Sequence, residues 1–183
     1  MNSSRMRLAA VFLLCFALGF IRGQVPAAGA ENVIISGDTD GSGMEVRYHL
    51  INNQVRVWGN QQMIWESPAE WKIEQILLAD ADNDGVEELL MVLWKYGSFG
   101  EVRPFWHERE DKSYSCHLFM YRLQAGRMKA VWCSSAVGYP IEAIQVATGP
   151  DQKLSLLVRE KAKLPFLYTQ SVWQWQDWGF ARI

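Results

Sequence analysis

No stretch of this chain sustains a helical apolar period. Short runs rich in Val, Ile, Leu, Trp and Tyr recur instead, with turn residues between them, which is the pattern of an all-β domain. The runs are Asn53–Trp58, Gln61–Trp65, Lys72–Ala79, Glu88–Trp94, His117–Leu123, Met128–Cys133, Ile141–Ala147, Leu154–Arg159 and Ser171–Trp175. Gly59-Asn60 and Ala125-Gly126 fall where two-residue hairpin turns belong. The nine tryptophans fit the same picture, because indole is costly to expose and favours sheets. Most are expected in a core; the alternative for some is a stacking surface for sugar rings.

The runs also repeat. Sliding the chain by 67 residues aligns Gly59 with Gly126, Trp65 with Trp132, Ser67 with Ser134, Asp84 with Asp151, Leu89 with Leu156 and Leu90 with Leu157. The repeating unit is hairpin, connection, strand, acidic turn, strand. "SVWQWQDWGF" closes the chain as a partial copy, and "VIISGDTDGSGMEV" opens it as a half-copy. The repeat is uneven in one place. Between Trp94 and His117 runs a connection far longer than a tight turn, whereas its counterpart after Arg159 is short. Long loops on rigid β scaffolds are where binding residues tend to sit.

The first 30 residues read differently. Arg5 and Arg7 precede an uncharged run from Leu8 to Ile21, and small residues follow, ending Ala28-Gly29-Ala30. This is the order of a cleaved secretory signal, which divides the chain into a signal peptide at 1–30 and a β domain at 31–183. The run is shorter than the roughly 20 residues of a membrane span, so membrane attachment is expected only if the signal stays uncleaved as an anchor. Cleavage removes Arg5, Arg7 and Arg22 and no acid, which takes the formal net charge from −2 to −5. A mildly acidic chain of this kind argues against nucleic acid as the partner. Two cysteines remain, Cys116 and Cys133, on strands expected to be neighbours. A disulfide is permitted outside the cytoplasm, but one register step would put the two on opposite faces, so pairing stays open.

The most chemically specific stretch is "LLADADNDGVEELLMVL", residues 77–93. Asp80, Asp82 and Asp84 stand at loop positions 1, 3 and 5, Gly85 supplies the bend at 6, the carbonyl of Val86 falls at 7 and Glu88 at 9. Hard oxygen ligands at that spacing suit Ca²⁺, and a bound cation would relieve the mutual repulsion of the carboxylates. An EF-hand would need Glu at position 12, where Met91 stands, and the flanks read as strands. A solvated acidic turn without metal is the competing account.

"ADADNDGVEELL" resembles the calcium loop of FG-GAP and VCBS-type repeats, the blades of the integrin α-chain β-propeller. The matching residues are Asp80, Asp82, Asp84, Gly85, Glu88 and Leu89, and "WESP", "PFW", "HLFMYRL", "VWCSS" and "WQWQDWGF" resemble the framing in secreted bacterial proteins of that type. The resemblance implies antiparallel four-stranded blades, about three of them in an incomplete ring, and one structural calcium ion. The next copy has Ala147 and Gly149 in place of the first two aspartates and keeps only Asp151, so it should bind no calcium. The opening copy keeps Asp38 and Asp40 but has Ser36. Three blades are too few for an ordinary closed propeller of four to eight, so a second chain or another partner is one way to complete the ring.

The functional expectation is a secreted or cell-surface, non-enzymatic module that binds a protein or a polysaccharide. Phe99, Phe105, Trp106 and His107 in the long loop are its candidate anchors, against the alternative that Phe105 and Trp106 fold back over a sheet edge. A sugar-acting enzyme or lectin is the alternative from another class, and a structural subunit of a larger propeller is a third. Glu108 and Glu110 with His107 or His117 offer a conceivable acid–base set, but "HEREDK" reads as a solvated charged loop, and no nucleophile elbow or zinc-protease motif occurs.

Overall fold

A computed structural model describes residues 33–37, 45–107, 111–149, 151–164 and 166–183. The residues of the expected signal peptide, Asp38 and Asp40 of the opening copy, and Glu108 and Glu110 lie outside the described residues. The described chain is all-β, with no helix. β1 (Val33–Gly37), β2 (Val46–Ile51), β3 (Gln54–Gly59) and β4 (Gln62–Glu66) form one antiparallel sheet. β5 (Lys72–Ala79), β6 (Glu88–Tyr96), β7 (Tyr114–Gln124) and β8 (Arg127–Cys133) form a second. β9 (Ile141–Thr148), β10 (Leu154–Lys161), β11 (Tyr168–Gln176) and β12 (Gly179–Arg182) form a third. Each sheet is a meander in chain order.

The half-copy and the partial copy seen in the sequence are thus parts of complete four-stranded sheets. One turn is displaced from its expected place. Gly59 still pairs across the hairpin with Gln62, and Asn60 and Gln61 make the turn with φ of 48° and 64°. Asparagine tolerates this left-handed backbone better than most residues. Ala125 and Gly126 form their turn as expected, with φ of 50° and 71°.

The sheets pack face on face through two cores, and the strand sequences explain which sheet lies in the middle. β6 reads "ELLMVLW", apolar at every inner position: Leu89, Met91 and Leu93 enter the first core, Leu90 and Val92 the second. β7 does the same, with Phe119, Tyr121 and Leu123 on one face and Cys116, Leu118 and Met120 on the other. A strand buried on both faces loses the apolar–polar alternation that a half-exposed strand keeps. β2, β3 and β10 largely alternate, and most of their polar residues point away from the middle sheet; Glu160 of β10 is the exception, buried and paired with Arg182 and Ser171. Arg47, His49 and Arg56 face outward on the first sheet; Arg159, Gln170 and Gln174 do so on the third. The three sheets do not close into a ring.

Six of the tryptophans, Trp65, Trp71, Trp94, Trp132, Trp173 and Trp175, pack in or against these cores. Trp71 meets Phe119 edge-on at 5.1 Å, and Trp65 lies 5.5 Å from Tyr121. On the far side Trp132, Trp175 and Phe180 form an edge-to-face triad, with Trp173 beside it. The 67-residue repeat has a structural counterpart at the end of each unit. Ser67 donates its N–H to the Val55 carbonyl and accepts the Val55 N–H on Oγ; Ser134 does both with Leu118.

Side-chain amides fasten the sheets to one another. Gln75 on β5 donates to the Ile144 carbonyl and accepts the Ile144 N–H, both at 2.8 Å. Asn83, in the β5–β6 turn, does the same for Leu154, at 3.3 and 2.6 Å. Asn53 donates from Nδ2 to the Ile73 carbonyl while its own carbonyl accepts the Ile73 N–H. These contacts align the sheets end for end. The β5–β6 and β9–β10 turns therefore share one end of the molecule, while the β6–β7 and β10–β11 connections share the other.

Candidate functional site

The β5–β6 turn carries the acidic cluster. Ala81, fully buried in the second core, pins its start, and Glu88, fully buried, begins β6. Between them the chain folds onto its own carboxylates. Asp80 accepts the N–H groups of Asp84 and Gly85 at 2.9 and 3.0 Å, Asp82 accepts from Asp84 at 3.2 Å, and Asp84 accepts from Val86 at 3.0 Å. Asn83 and Gly85 supply the left-handed positions, with φ of 62° and 93°. Glu88 accepts the Ala81 N–H at 2.9 Å.

Arg122, on β7, was not anticipated. Its guanidinium donates from Nη1 to Asp84 at 2.8 Å, from Nη2 to Asp82 at 3.0 Å, and from Nε to Glu88 at 2.8 Å, with a further Nη2 contact to Glu88. A fork of fixed donors suits several carboxylates at once. The signal in the sequence is faint: a single charged residue within the apolar run "HLFMYRL". Burial pushes the Glu88 carboxyl up to about 7, against the opposing pull of Arg122 and the Ala81 N–H. Burial likewise raises Asp82. Asp84 is lowered, since the Val86 N–H and Arg122 outweigh its slight burial.

Of the expected ligands, the structure gathers Asp80, Asp82 and Glu88, each offering an oxygen within 4.8 Å of the others, an acidic triad that could hold a metal ion. Asp84 instead spends its oxygens on Val86 and Arg122. Val86, the expected carbonyl ligand, donates its N–H to Asp84.

At the opposite end, the β6–β7 loop is tied down at its base. Asp111 accepts from the N–H groups of Ser98 and Ser113 at 2.6 and 2.9 Å and from both of their hydroxyls. These donors hold its carboxyl far below its ordinary value of 3.8. Gly100 lies on Cys133 so closely that an added Cβ would stand 2.8 Å from the Cys133 carbonyl oxygen. Beyond this base the loop projects. Phe105 is 92% exposed and Trp106 71% exposed, packed edge-on against each other at 4.9 Å. His107 meets the half-buried Phe99 at 4.7 Å. The four expected anchors therefore form two adjacent aromatic pairs.

His117 is buried in the strand. Its Nδ1 lies 3.0 Å from the Ser134 carbonyl and its Nε2 2.9 Å from Ser115 Oγ, and burial lowers its pKa. It is a hydrogen-bonded core histidine. Cys116 and Cys133 are free thiols. Cys133 pairs with Phe119, three residues along from Cys116, and the two pack in different cores on opposite faces of the sheet. Burial raises Cys116 to about 11 and Cys133 to about 12.

No family model, curated protein or solved structure matches the chain.

Proposed function

We propose that this is a non-enzymatic binding module that works outside the cytoplasm and recognises a protein or polysaccharide through its β6–β7 loop. The observation that carries the reading is the exposed Phe105–Trp106 pair on a loop whose base is anchored by Asp111 and Gly100. Exposed aromatics on a held backbone bind at low entropic cost. The sheets are read as FG-GAP-like blades, an account supported by the meander topology and the acidic turn at the same place in the second sheet.

In this reading the acidic turn takes one calcium ion with a structural role. One guanidinium bonds three carboxylates there, and Asp80 adds a fourth that it does not touch, so the cluster stays attractive to a divalent cation, and hard oxygen donors favour Ca²⁺. Calcium would draw Asp82 and Glu88 away from Arg122. The turn lies at the far end of the molecule from Phe105 and Trp106, so calcium should support the fold without touching the ligand.

Two experiments test the reading. Calorimetric titration with calcium chloride should find one site per chain that is lost in Asp82→Ala; no heat up to millimolar calcium would remove the ion from the proposal. Binding of the labelled chain to cell envelopes should fall in Trp106→Ala while the melting temperature is unchanged. A lowered melting temperature with binding intact would instead make Trp106 a packing residue.

A further inference from the structure

We propose that an aromatic ledge beside the long loop binds a neutral saccharide chain. The ledge is made by Trp94, Tyr96 and Tyr114 with Glu74 and Lys72. It rests on the binding-module reading and gives that module a ligand class, but it does not depend on Phe105 or Trp106.

Tyr96 lies opposite Tyr114 in the β6–β7 ladder, and Trp94 is two residues before Tyr96, so all three rings stand on one face of the second sheet. Trp94 and Tyr114 stack nearly parallel at 5.5 Å and 18°, and Tyr114 meets Tyr96 at 5.1 Å. Farther along this face Val92, Leu118 and Met120 enter the second core, under the third sheet. At the ledge that cover gives out: Tyr96 is 66% exposed and Tyr114 47% exposed.

Polar groups are fixed at the edge of the rings. Trp94 Nε1 donates to Glu74 Oε2 at 3.1 Å, and Lys72 Nζ donates to Glu74 Oε1 at 2.8 Å. An ionised carboxylate has about four acceptor positions, so each oxygen retains capacity after these bonds. Lys72 likewise has ammonium protons to spare. The carboxylate is therefore an oriented acceptor that loses little freedom on binding a hydroxyl.

A sugar ring presents C–H groups on its faces and hydroxyls around its rim. The ledge offers the complement: the exposed rings of Tyr96 and Tyr114, backed by the half-buried Trp94 that packs against the second core, with a fixed acceptor and a donor at their edge. A protein partner would look for a desolvated centre built from aliphatic as well as aromatic groups, and the ledge itself supplies only aromatic and polar side chains. A strongly charged polymer is disfavoured because Lys72 and Glu74 already neutralise one another.

The test is affinity electrophoresis of the full chain through gels containing a mixed-linkage β-glucan, a xylan, a galactomannan or an α-glucan. At least one polymer should retard it. Tyr96→Ser, Tyr114→Ser and Glu74→Gln should each weaken that retardation tenfold or more, while Trp178→Ser, an exposed indole in the β11–β12 turn at the other end, should leave it unchanged. If Tyr114→Ser fails to fold, Tyr96→Ser and Glu74→Gln, both at exposed side chains, still decide. Retardation that survives both of these overturns the ledge. So does loss on Trp106→Ala with the ledge variants intact, a result that would move the saccharide to the loop tip. If no polymer retards the chain, the ledge is overturned, and the loop stands or falls on its own envelope-binding experiment.

Discussion

Arg122 shows how one side chain can organise a cluster that otherwise repels itself. Glu88 is fully buried, so its charge needs a partner close by, and the guanidinium supplies it. Arg122→Ala should therefore cost on the order of 3 kcal/mol in calcium-free buffer, as expected when one member of a buried ion pair is removed. Calcium should restore much of that loss, because binding to the native turn stabilises it by mass action. Thermal melts of the variant with calcium and with chelator check both halves, and equal melting temperatures in the two would speak against a cation site. Gly100 tests the opposite end. Gly100→Ala forces a methyl against the Cys133 carbonyl and should destabilise by about 1–3 kcal/mol through overpacking, measurable by urea titration. The sequence made the four carboxylates and their spacing visible. It did not reveal Arg122, because a residue 34 positions from Glu88 becomes its neighbour only through strand register. Cys116 and Cys133 show the same limit: their strands were recognisable as neighbours, but a side chain's face depends on a register that composition does not encode.

Among the elements, the base of the β6–β7 loop is held by backbone hydrogen bonds, by the close packing of Gly100 and by one titrating group, Asp111. Asp111 is held ionised well below its ordinary 3.8 by Ser98 and Ser113. A lowered folded-state pKa means that its contribution is complete above 3.8 and is lost as pH falls further below that value. Acidification below about pH 4 should loosen the loop before the sheets melt, seen as a change in Trp106 fluorescence; Asp111→Ala should show the loosened state already at neutral pH. The sheet-to-sheet fastenings give a second prediction. Gln75→Ala leaves both the N–H and the carbonyl of Ile144 without their partner and should cost about 1–3 kcal/mol. An unchanged denaturation midpoint would mean that water replaces the amide at no cost. Strand positions were largely legible: Lys72–Ala79 is the observed β5, and the other expected runs fall inside or within one residue of observed strands. What stayed hidden was which residues join one sheet to the next, since an amide that bonds a neighbouring backbone looks in sequence like any surface Gln or Asn.

At the scale of the whole molecule, the outer faces of the stack carry charged and polar side chains that the middle sheet lacks, beside an apolar groove of Leu157, Val172, Leu164 and Leu167 on the third sheet. β10 has Arg159 two positions after Leu157, whereas β6 has Val92 two positions after Leu90. Outer faces of this kind are what terminal units of a repeat array need to remain dispersed. Each sheet is also continuous in sequence, so most pairing is local and the units are coupled only through two interfaces. The thermodynamics is then close to that of a three-link chain with nearest-neighbour coupling, in which the central link gains from two couplings and each outer link from one. Amide exchange should rank accordingly: slowest in β6 and β7, faster in β2, β3, β10 and β11. A disturbance at the Gln75–Ile144 junction should release the third sheet while leaving protection in the first, and so make this small chain unfold in stages rather than all at once.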